Sequence, residues 1–323
     1  MPHVVVLTSG GTISSRRSGD SVVAVDDASA LLAGVVVDEG ISVEAHEVVR
    51  VGSYRMTPSD MRAIADAVAT HLRRDDVHGI VVTHGTDTLE ETAILLDLVH
   101  DDPRPVALTG AQRAADVADT DGPRNIRDAI TVAASADARG RGVVVVFDGS
   151  IHAARGVRKE HTVDLAAFAN PAGTVGTVRT GTVRIHSTPV RPGALARPRP
   201  EFDTTRVDVV AVYPGGDDVL LRAAVGAGAR GIVLVGTGLG NAPEGIARAV
   251  AEIVADGVVV ALSTRVPAGP VLPVYGNGGG YDLVAAGAVP ASLPPSQARI
   301  ALALLLSSGA TPAAVAGALG DYA

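Results

Sequence analysis

Short runs of apolar, largely β-branched residues alternate along the chain with stretches whose apolar positions recur every three or four residues. His3–Thr8, Gly79–Thr83, Pro105–Thr109 and Val143–Phe147 are runs of the first kind and predict strands. Between them, Thr57-Pro58-Ser59-Asp60 offers a threonine N-cap with proline at the first helical position, and predicts a helix running to Leu72. A second helix is expected from Asp87 to Val99, with Glu90 and Glu91 in the first turn, where the helix dipole favours negative charge. A third follows Gly122-Pro123 through Val132. Strands that are apolar throughout, separated by helices, predict a mainly parallel sheet covered on both faces.

The pattern changes after that. Gly173–Ser187 alternates Val, Thr and Gly with no helical period, and predicts a β-ribbon. Pro189, Pro192, Pro198 and Pro200, set among arginines, predict an extended linker. Alternation resumes with strands expected at Val207–Val212, Gly231–Val235 and Gly257–Leu262, a helix after each, and two further helices near Ser296–Leu306 and Thr311–Leu319. The fold class expected is therefore α/β, in two domains. The larger N-terminal domain spans 1–190 and is mostly a parallel sheet with flanking helices; a linker covers 191–205, and a smaller parallel α/β domain covers 206–323.

Composition narrows the function. The chain is 47% apolar but only 2% aromatic, so its cores are expected to be built from Val, Leu, Ile and Ala. Its 35 acidic residues against 27 basic give a formal charge of −8, which argues against nucleic acid or an anionic membrane as partner. The absence of cysteine excludes disulfides, a thiolate nucleophile and thiolate metal ligands. Nine histidines are scattered without ligand spacing, so neither metal nor cofactor is expected. No apolar stretch approaches the roughly 18–20 residues of a membrane span, and MPHVVVLTSGGT reads as a first strand and not a signal peptide. A cytoplasmic location is the expectation.

In open α/β sheets ligands sit beyond the carboxyl ends of the strands, and three turns there are unusual. The first strand runs into Thr8-Ser9-Gly10-Gly11-Thr12, where two glycines allow a tight turn and close approach to a ligand; a plain strand-to-loop turn is the alternative, and the Lys-Ser/Thr ending of a phosphate loop is missing. Another strand ends in Thr83-His84-Gly85-Thr86-Asp87-Thr88 directly before a helix. There Thr86, Asp87 or Thr88 could be simple N-caps, or a hydroxyl and a carboxylate could hold a reacting group, with His84 packed behind them. The third turn leads through Asp148-Gly149-Ser150 and Ile151-His152-Ala153-Ala154-Arg155-Gly156-Val157-Arg158 to Lys159, the only lysine in the chain. A desolvated lysine beside a carboxylate can accept a proton as arginine cannot; a solvated surface lysine is the alternative.

Taken together and in order, the GGT turn, HGTDT before a helix, TGAQR with DGPRN, IHAARGVRK and the late STRVPAGPV segment closely resemble the bacterial L-asparaginase family over nearly the whole chain. The resemblance implies an amide hydrolase releasing L-aspartate and ammonia from L-asparagine through a threonine acyl-enzyme, with some glutaminase activity. It maps the nucleophile onto Thr12, the second catalytic threonine and its aspartate onto Thr86 and Asp87, and the catalytic lysine onto Lys159. Ser53 matches the serine that binds the substrate α-carboxylate, with Gly11, Tyr54 and Asp87 also facing substrate. Asn241, in Gly236-Thr237-Gly238-Leu239-Gly240-Asn241, matches a residue that reaches the active site of a neighbouring subunit, which implies a homodimer or homotetramer. Three departures stand out. No tyrosine lies between Ile13 and Gly52, where the family carries one on a mobile loop; the glutamine after the binding serine is Tyr54 here; and Pro273–Gly278 lacks the family's acidic residue. Tyr54 or Tyr275 is the candidate replacement phenol, and Ser14–Val22 the candidate lid. The same motifs occur in the asparaginase-like subunit of a tRNA-dependent amidotransferase, and the fold suits a catalytically weak amino-acid sensor; both remain as alternatives.

Overall fold

In the computed structural model, which describes residues 1–18, 21–24 and 28–322 (of 17, 18 and 21–24 the backbone alone), the chain divides into two compact units, Met1–Arg197 and Pro198–Ala323. The first unit contains strands β1 (His3–Gly10), β2 (Ser15–Ser18), β3 (Ser21–Ala24), β4 (Ser42–Val51), β5 (Gly79–Thr83), β6 (Val106–Thr109), β7 (Val143–Phe147), β8 (Ser150–Ala153), β9 (Arg158–Lys159), β10 (Phe168–Ala169), β11 (Gly176–Arg179) and β12 (Thr182–Ile185). Its helices are α1 (Ala28–Ala33), α2 (Pro58–Leu72), α3 (Leu89–Val99) and α4 (Gly122–Ala134).

Eight of these strands form one sheet in the order β12-β11-β8-β7-β6-β5-β1-β4. β4, β1, β5, β6 and β7 run parallel, while β8, β11 and β12 complete the sheet through antiparallel pairings. Period-two alternation along the apolar strands builds a separate core on each face. Val5, Leu7, Ile80, Val82, Val106, Leu108 and Phe147 meet Ile64 and Val68 of α2 and Leu89 and Leu96 of α3. Val4, Val6, Val81, Ala107, Val144 and Val146 meet Ile126 and Ile130 of α4 and Leu31 of α1 on the other side.

Local signals explain the element ends. Thr57 Oγ1 accepts from Asp60 N while Thr57 N donates to Asp60 Oδ2, a reciprocal capping box with Pro58 at the start of α2. Two features differ from the sequence reading. β4 is an edge strand whose scattered polar residues (Glu44, His46, Glu47, Arg50) leave no continuous apolar run. The segment after Asp148 folds back as β8, because Asp148 and Gly149 take positive φ (47° and 74°) and make a two-residue hairpin turn between Phe147 and Ser150. The expected ribbon forms as the β11–β12 hairpin through Thr180 and Gly181, also at positive φ. Within the expected lid, β2 pairs antiparallel with β3; Gly19 and Asp20 lie outside the described residues.

The second unit holds a parallel sheet β13-β14-β15-β16, made of Val207–Ala211, Gly231–Gly236, Val259–Thr264 and Val289–Pro290. On one face lie α6 (Val219–Gly226), α7 (Ile246–Ala255) and α8 (Gly280–Ala285), closing over Ile232, Leu234, Val260 and Leu262. α9 (Pro295–Ser307) covers the other face, with Leu302 and Leu306 seated against Gly231, and α10 (Pro312–Tyr322) follows it. A short helix, α5 (Pro200–Thr204), forms inside the stretch expected as linker. Residues before it are tied to the first unit: Leu195 N donates to Leu98 O, and Arg191 pairs with Asp97 at 2.8 Å. No helix among the described residues is long and apolar enough to cross a membrane.

Candidate active site

Parallel pairing of β1 with β5 sets Thr8 beside Thr83, so the turns leaving these two strands are neighbours. Gly10 and Gly11 both take positive φ (90° and 86°), and Gly11 N donates to Val51 O at 3.1 Å. A Cβ on Gly11 would stand 2.3 Å from Gly85 Cα, and a Cβ on Gly85 2.6 Å from Ser53 Oγ. Three turns thus converge, Gly11 backbone against Gly85 backbone and Gly85 against the Ser53 side chain, which only glycine at 11 and 85 permits. The Ser14 and Ser15 hydroxyls both donate to Gly11 O, at 3.1 and 2.7 Å, and hold the turn that presents Thr12. Gly11→Ala is expected to destabilise the fold by about 3 kcal/mol, through overpacking and unfavourable φ together. A thermal or urea melt beside wild type checks this; an unchanged midpoint would mean the turns can separate freely.

The second turn delivers its side chains elsewhere than into a helix cap. α3 begins at Leu89, two residues later than expected, and its N-cap Thr88 makes no side-chain cap bond. Instead Thr88 Oγ1 donates to Ser53 O at 2.9 Å, and Asp87 N donates to Ser53 Oγ at 3.2 Å. Ser53 Oγ accepts that N–H, so its own proton is not used in this bond. Ser53 is buried, whereas Tyr54 is three-quarters exposed with its ring over Gly52.

Lys159 closes the group. It lies on β9, which pairs with β10, and its backbone N donates to Glu90 Oε2 at 2.7 Å. Its Nζ sits 2.8 Å from Thr86 Oγ1 and 2.8 Å from Asp87 Oδ1. The Lys159 side chain is 17% exposed and Asp87 54%, so the ammonium is mostly enclosed while the carboxylate faces solvent. The alternative of a solvated surface lysine is excluded by this geometry.

The structure also reveals residues that the motifs contained without an assigned part. Thr86 Oγ1 donates to Gln112 Oε1 at 3.1 Å, so its hydroxyl proton points away from Lys159. Gln112 is held by a buried carboxylate: Asp121 accepts from Gln112 N and Arg113 N, and from Asn125 Nδ2, which also donates to Gly110 O. The DGPRN stretch therefore serves to fix the TGAQR turn against Thr86. Glu90, expected only as a helix-dipole residue, anchors the lysine strand.

His84 is packed behind the site, as its position suggested. It is fully buried; Nδ1 bonds Gly85 O at 2.8 Å and Nε2 bonds Thr92 Oγ1 at 2.9 Å. Since a carbonyl only accepts, the neutral ring carries its proton on Nδ1. Burial pushes its pKa down from 6.5 to about 4. An unfolded chain takes up this proton near 6.5 while the folded one resists it, so stability present above that pH is lost as pH falls toward 4. The loss is on the order of 3 kcal/mol. Urea melts from pH 7 to 4 should show a flatter profile for His84→Gln than for wild type; parallel profiles would contradict the assignment.

Asn241 belongs to the second unit. Its carbonyl accepts from Thr237 N at 2.9 Å and its side-chain Oδ1 from Gly280 N at 3.0 Å, so the glycine loop is tied to the start of α8.

Comparison with known proteins identifies the family of the chain. Residues 3–191 match the family model "Asparaginase, N-terminal", and residues 206–319 match "Glutaminase/Asparaginase C-terminal domain". The "Probable L-asparaginase" of Deinococcus radiodurans is 38% identical over 96% of this chain and 95% of its own length. The "L-asparaginase" of Bacillus licheniformis is 34% identical over 94% and 95%. A crystal structure of a "Probable Cytoplasmic L-asparaginase" from Campylobacter jejuni matches with a TM-score of 0.87 at 28% identity, covering 99% of both chains.

Proposed function

This chain belongs to the asparaginase family of amide hydrolases, and from that premise we propose that it cleaves the side-chain amide of L-asparagine with Thr12 as nucleophile. The observation that carries the assignment is Lys159 Nζ, 2.8 Å from both Thr86 Oγ1 and Asp87 Oδ1, at the end of the strand beside the Gly11–Thr12 turn.

In this reading the Ser53 hydroxyl binds the substrate α-carboxylate, Asp87 takes the α-amino group, and Gly11 and Tyr54 line the rest of the pocket. Thr12 Oγ adds to the amide carbonyl carbon, and its proton passes to the departing nitrogen by way of the polar groups of the site. Backbone N–H groups at the turn and at the start of α3 stabilise the developing oxyanion. Breaking the C–N bond releases ammonia and leaves an aspartyl ester on Thr12. Water held by Thr86 then attacks the ester; one of its protons returns to Thr12 Oγ, and aspartate leaves. Lys159 fixes Thr86 and Asp87 and supplies the group through which a proton moves between them.

Glutamine is one methylene longer than asparagine. A methylene is worth only about 1–3 kcal/mol of discrimination, so measurable glutaminase activity accompanies the main reaction. The protein acts in the cytoplasm as a homodimer or homotetramer in which Asn241 approaches a neighbouring subunit's site. The test is ammonia release by purified protein supplied in parallel with L-asparagine and L-glutamine. Release from asparagine faster than from glutamine supports the proposal; binding of either amino acid without ammonia would make the protein a sensor on this fold.

A further inference from the structure

Along the outer edge of the first unit's sheet, β4 and the helix packed on it gather side chains that the hydrolytic reaction does not use. Glu44 and His46 stand two residues apart on β4 and so share a face, level with Val5 and Leu7 of β1. His71 reaches them from the last turn of α2, which packs on this strand. His46 Nε2 lies 3.5 Å and His71 Nδ1 3.9 Å from Glu44 Oε1, and one ligand atom from each of the three residues falls within 4.8 Å of the others. The two imidazole rings stand 4.7 Å apart, centre to centre. On the neighbouring strand, His3 Nε2 is 3.6 Å from Glu44 Oε2, and its Nδ1 bonds Ser42 Oγ at 3.1 Å, which fixes the ring with Nε2 toward the group.

We propose that Glu44, His46 and His71 form a binding site for a borderline divalent cation of the Zn²⁺ class, with His3 as the fourth ligand. Bonds of roughly 2.0–2.1 Å in tetrahedral geometry place ligand atoms about 3.3 Å apart. The 3.5 and 3.9 Å separations found here exceed that spacing by roughly 0.2 and 0.6 Å, and side-chain rotations that draw the three ligand atoms in from their 4.8 Å spread complete the site. The donor set of imidazoles and one carboxylate suits Zn²⁺ or Co²⁺ over Mg²⁺ or Ca²⁺, which prefer oxygen throughout. Two ligands sit on β4, one on β1 and one on α2, so the frame is rigid, and the Ser42 bond to His3 is the kind of outer contact that orients a metal-binding imidazole.

One cation already competes for the position. The Arg74 guanidinium bonds Glu44 and lies 3.4 Å from both His71 Nδ1 and His3 Nε2, so those acceptors already converge on a positive charge. Arg74 has somewhere else to go. Its Nε and Nη2 bond Asp76 at 3.2 and 2.7 Å, and that pairing survives if Glu44 is given up to a metal ion. Arg74 is thus the resident counter-cation, and removing it should strengthen metal binding where removing a ligand abolishes it.

The experiment is titration of tag-free, chelator-washed protein with Co²⁺, followed by visible absorption, and with Zn²⁺, by competition with a chromophoric chelator. Wild type is expected to bind one equivalent with the intense spectrum of tetrahedral Co²⁺. His46→Ala and Glu44→Gln should weaken binding at least 100-fold, and Arg74→Gln should tighten it at least tenfold. His46 is half exposed, so its replacement leaves the fold intact, and asparagine hydrolysis by that variant should match wild type. Zn²⁺ should raise the melting temperature of wild type and not of His46→Ala. Stoichiometric binding that the His46 and Glu44 variants retain would place the metal elsewhere and overturn the proposal. So would an absence of binding in both wild type and Arg74→Gln.

Discussion

Thr12→Ala is expected to lower kcat for asparagine hydrolysis by about 10⁴-fold or more, the scale seen when a covalent nucleophile is deleted. Alanine removes the attacking oxygen and leaves the turn as it is, because Gly10 and Gly11 supply the unusual backbone angles and Ser14 and Ser15 hold the Gly11 carbonyl. The groups assigned to substrate binding, Ser53 and Asp87, come from other turns, so KM should change by less than about tenfold while kcat collapses. Thr12→Ser restores the oxygen without the methyl that restricts its rotamer, and should recover most of the lost rate. A variant that loses affinity instead of turnover would make Thr12 a binding residue. A Thr12→Ala enzyme with appreciable turnover would transfer the nucleophile to another hydroxyl, of which Thr86 is the nearest candidate by motif.

Lys159→Met carries the second large effect, a loss of about 10³-fold in kcat, within the range attributed to a positioned proton-transfer group. Methionine keeps the unbranched stem and removes the ammonium that touches both Thr86 Oγ1 and Asp87 Oδ1. Lys159→Arg should rescue little, because a guanidinium does not give up its proton at working pH and its planar fork cannot occupy the point where one ammonium meets both partners. The Lys159–Asp87 pair is half exposed on the carboxylate side, so its loss should shift stability by less than about 1 kcal/mol. Parallel kinetics and melts on the three proteins separate the two effects. A Lys159→Arg enzyme as fast as wild type would reduce the lysine to a source of charge.

What could be read from the chain, and what could not, follows from the physics of each element. β1, β5, β6 and β7 announce themselves as unbroken apolar runs because helices cover them on both sides. α2 announces its start through Thr57, Pro58 and Asp60. β4 does not, since an edge strand with no fully buried residue needs no continuous apolar stretch, and β8 is short and follows directly on the Asp148-Gly149 hairpin turn.

In the candidate site, Thr86 and Asp87 lie more than seventy positions before Lys159, and only the folding of the β9 segment against α3 brings them together. Gln112 was visible as part of a motif without a contact to explain it; its bond to Thr86 depends on Asp121 and Asn125, whose roles emerge only in three dimensions. The Glu44–His46–His71 cluster shows the same limit. Histidines on different elements have no sequence spacing to betray them, and their convergence is a property of the fold.

The most direct test of the account is to catch the covalent intermediate. Acid quench of the enzyme during steady turnover of L-asparagine, followed by intact-protein and peptide mass spectrometry, should reveal a fraction of the chain heavier by one aspartyl group, with the ester on Thr12. The same treatment of Thr12→Ala should show none. An aspartyl ester on Thr86 or Ser53, or rapid hydrolysis with no acylated protein at any quench time even in Lys159→Met, would contradict the account and require either another nucleophile or direct attack by water.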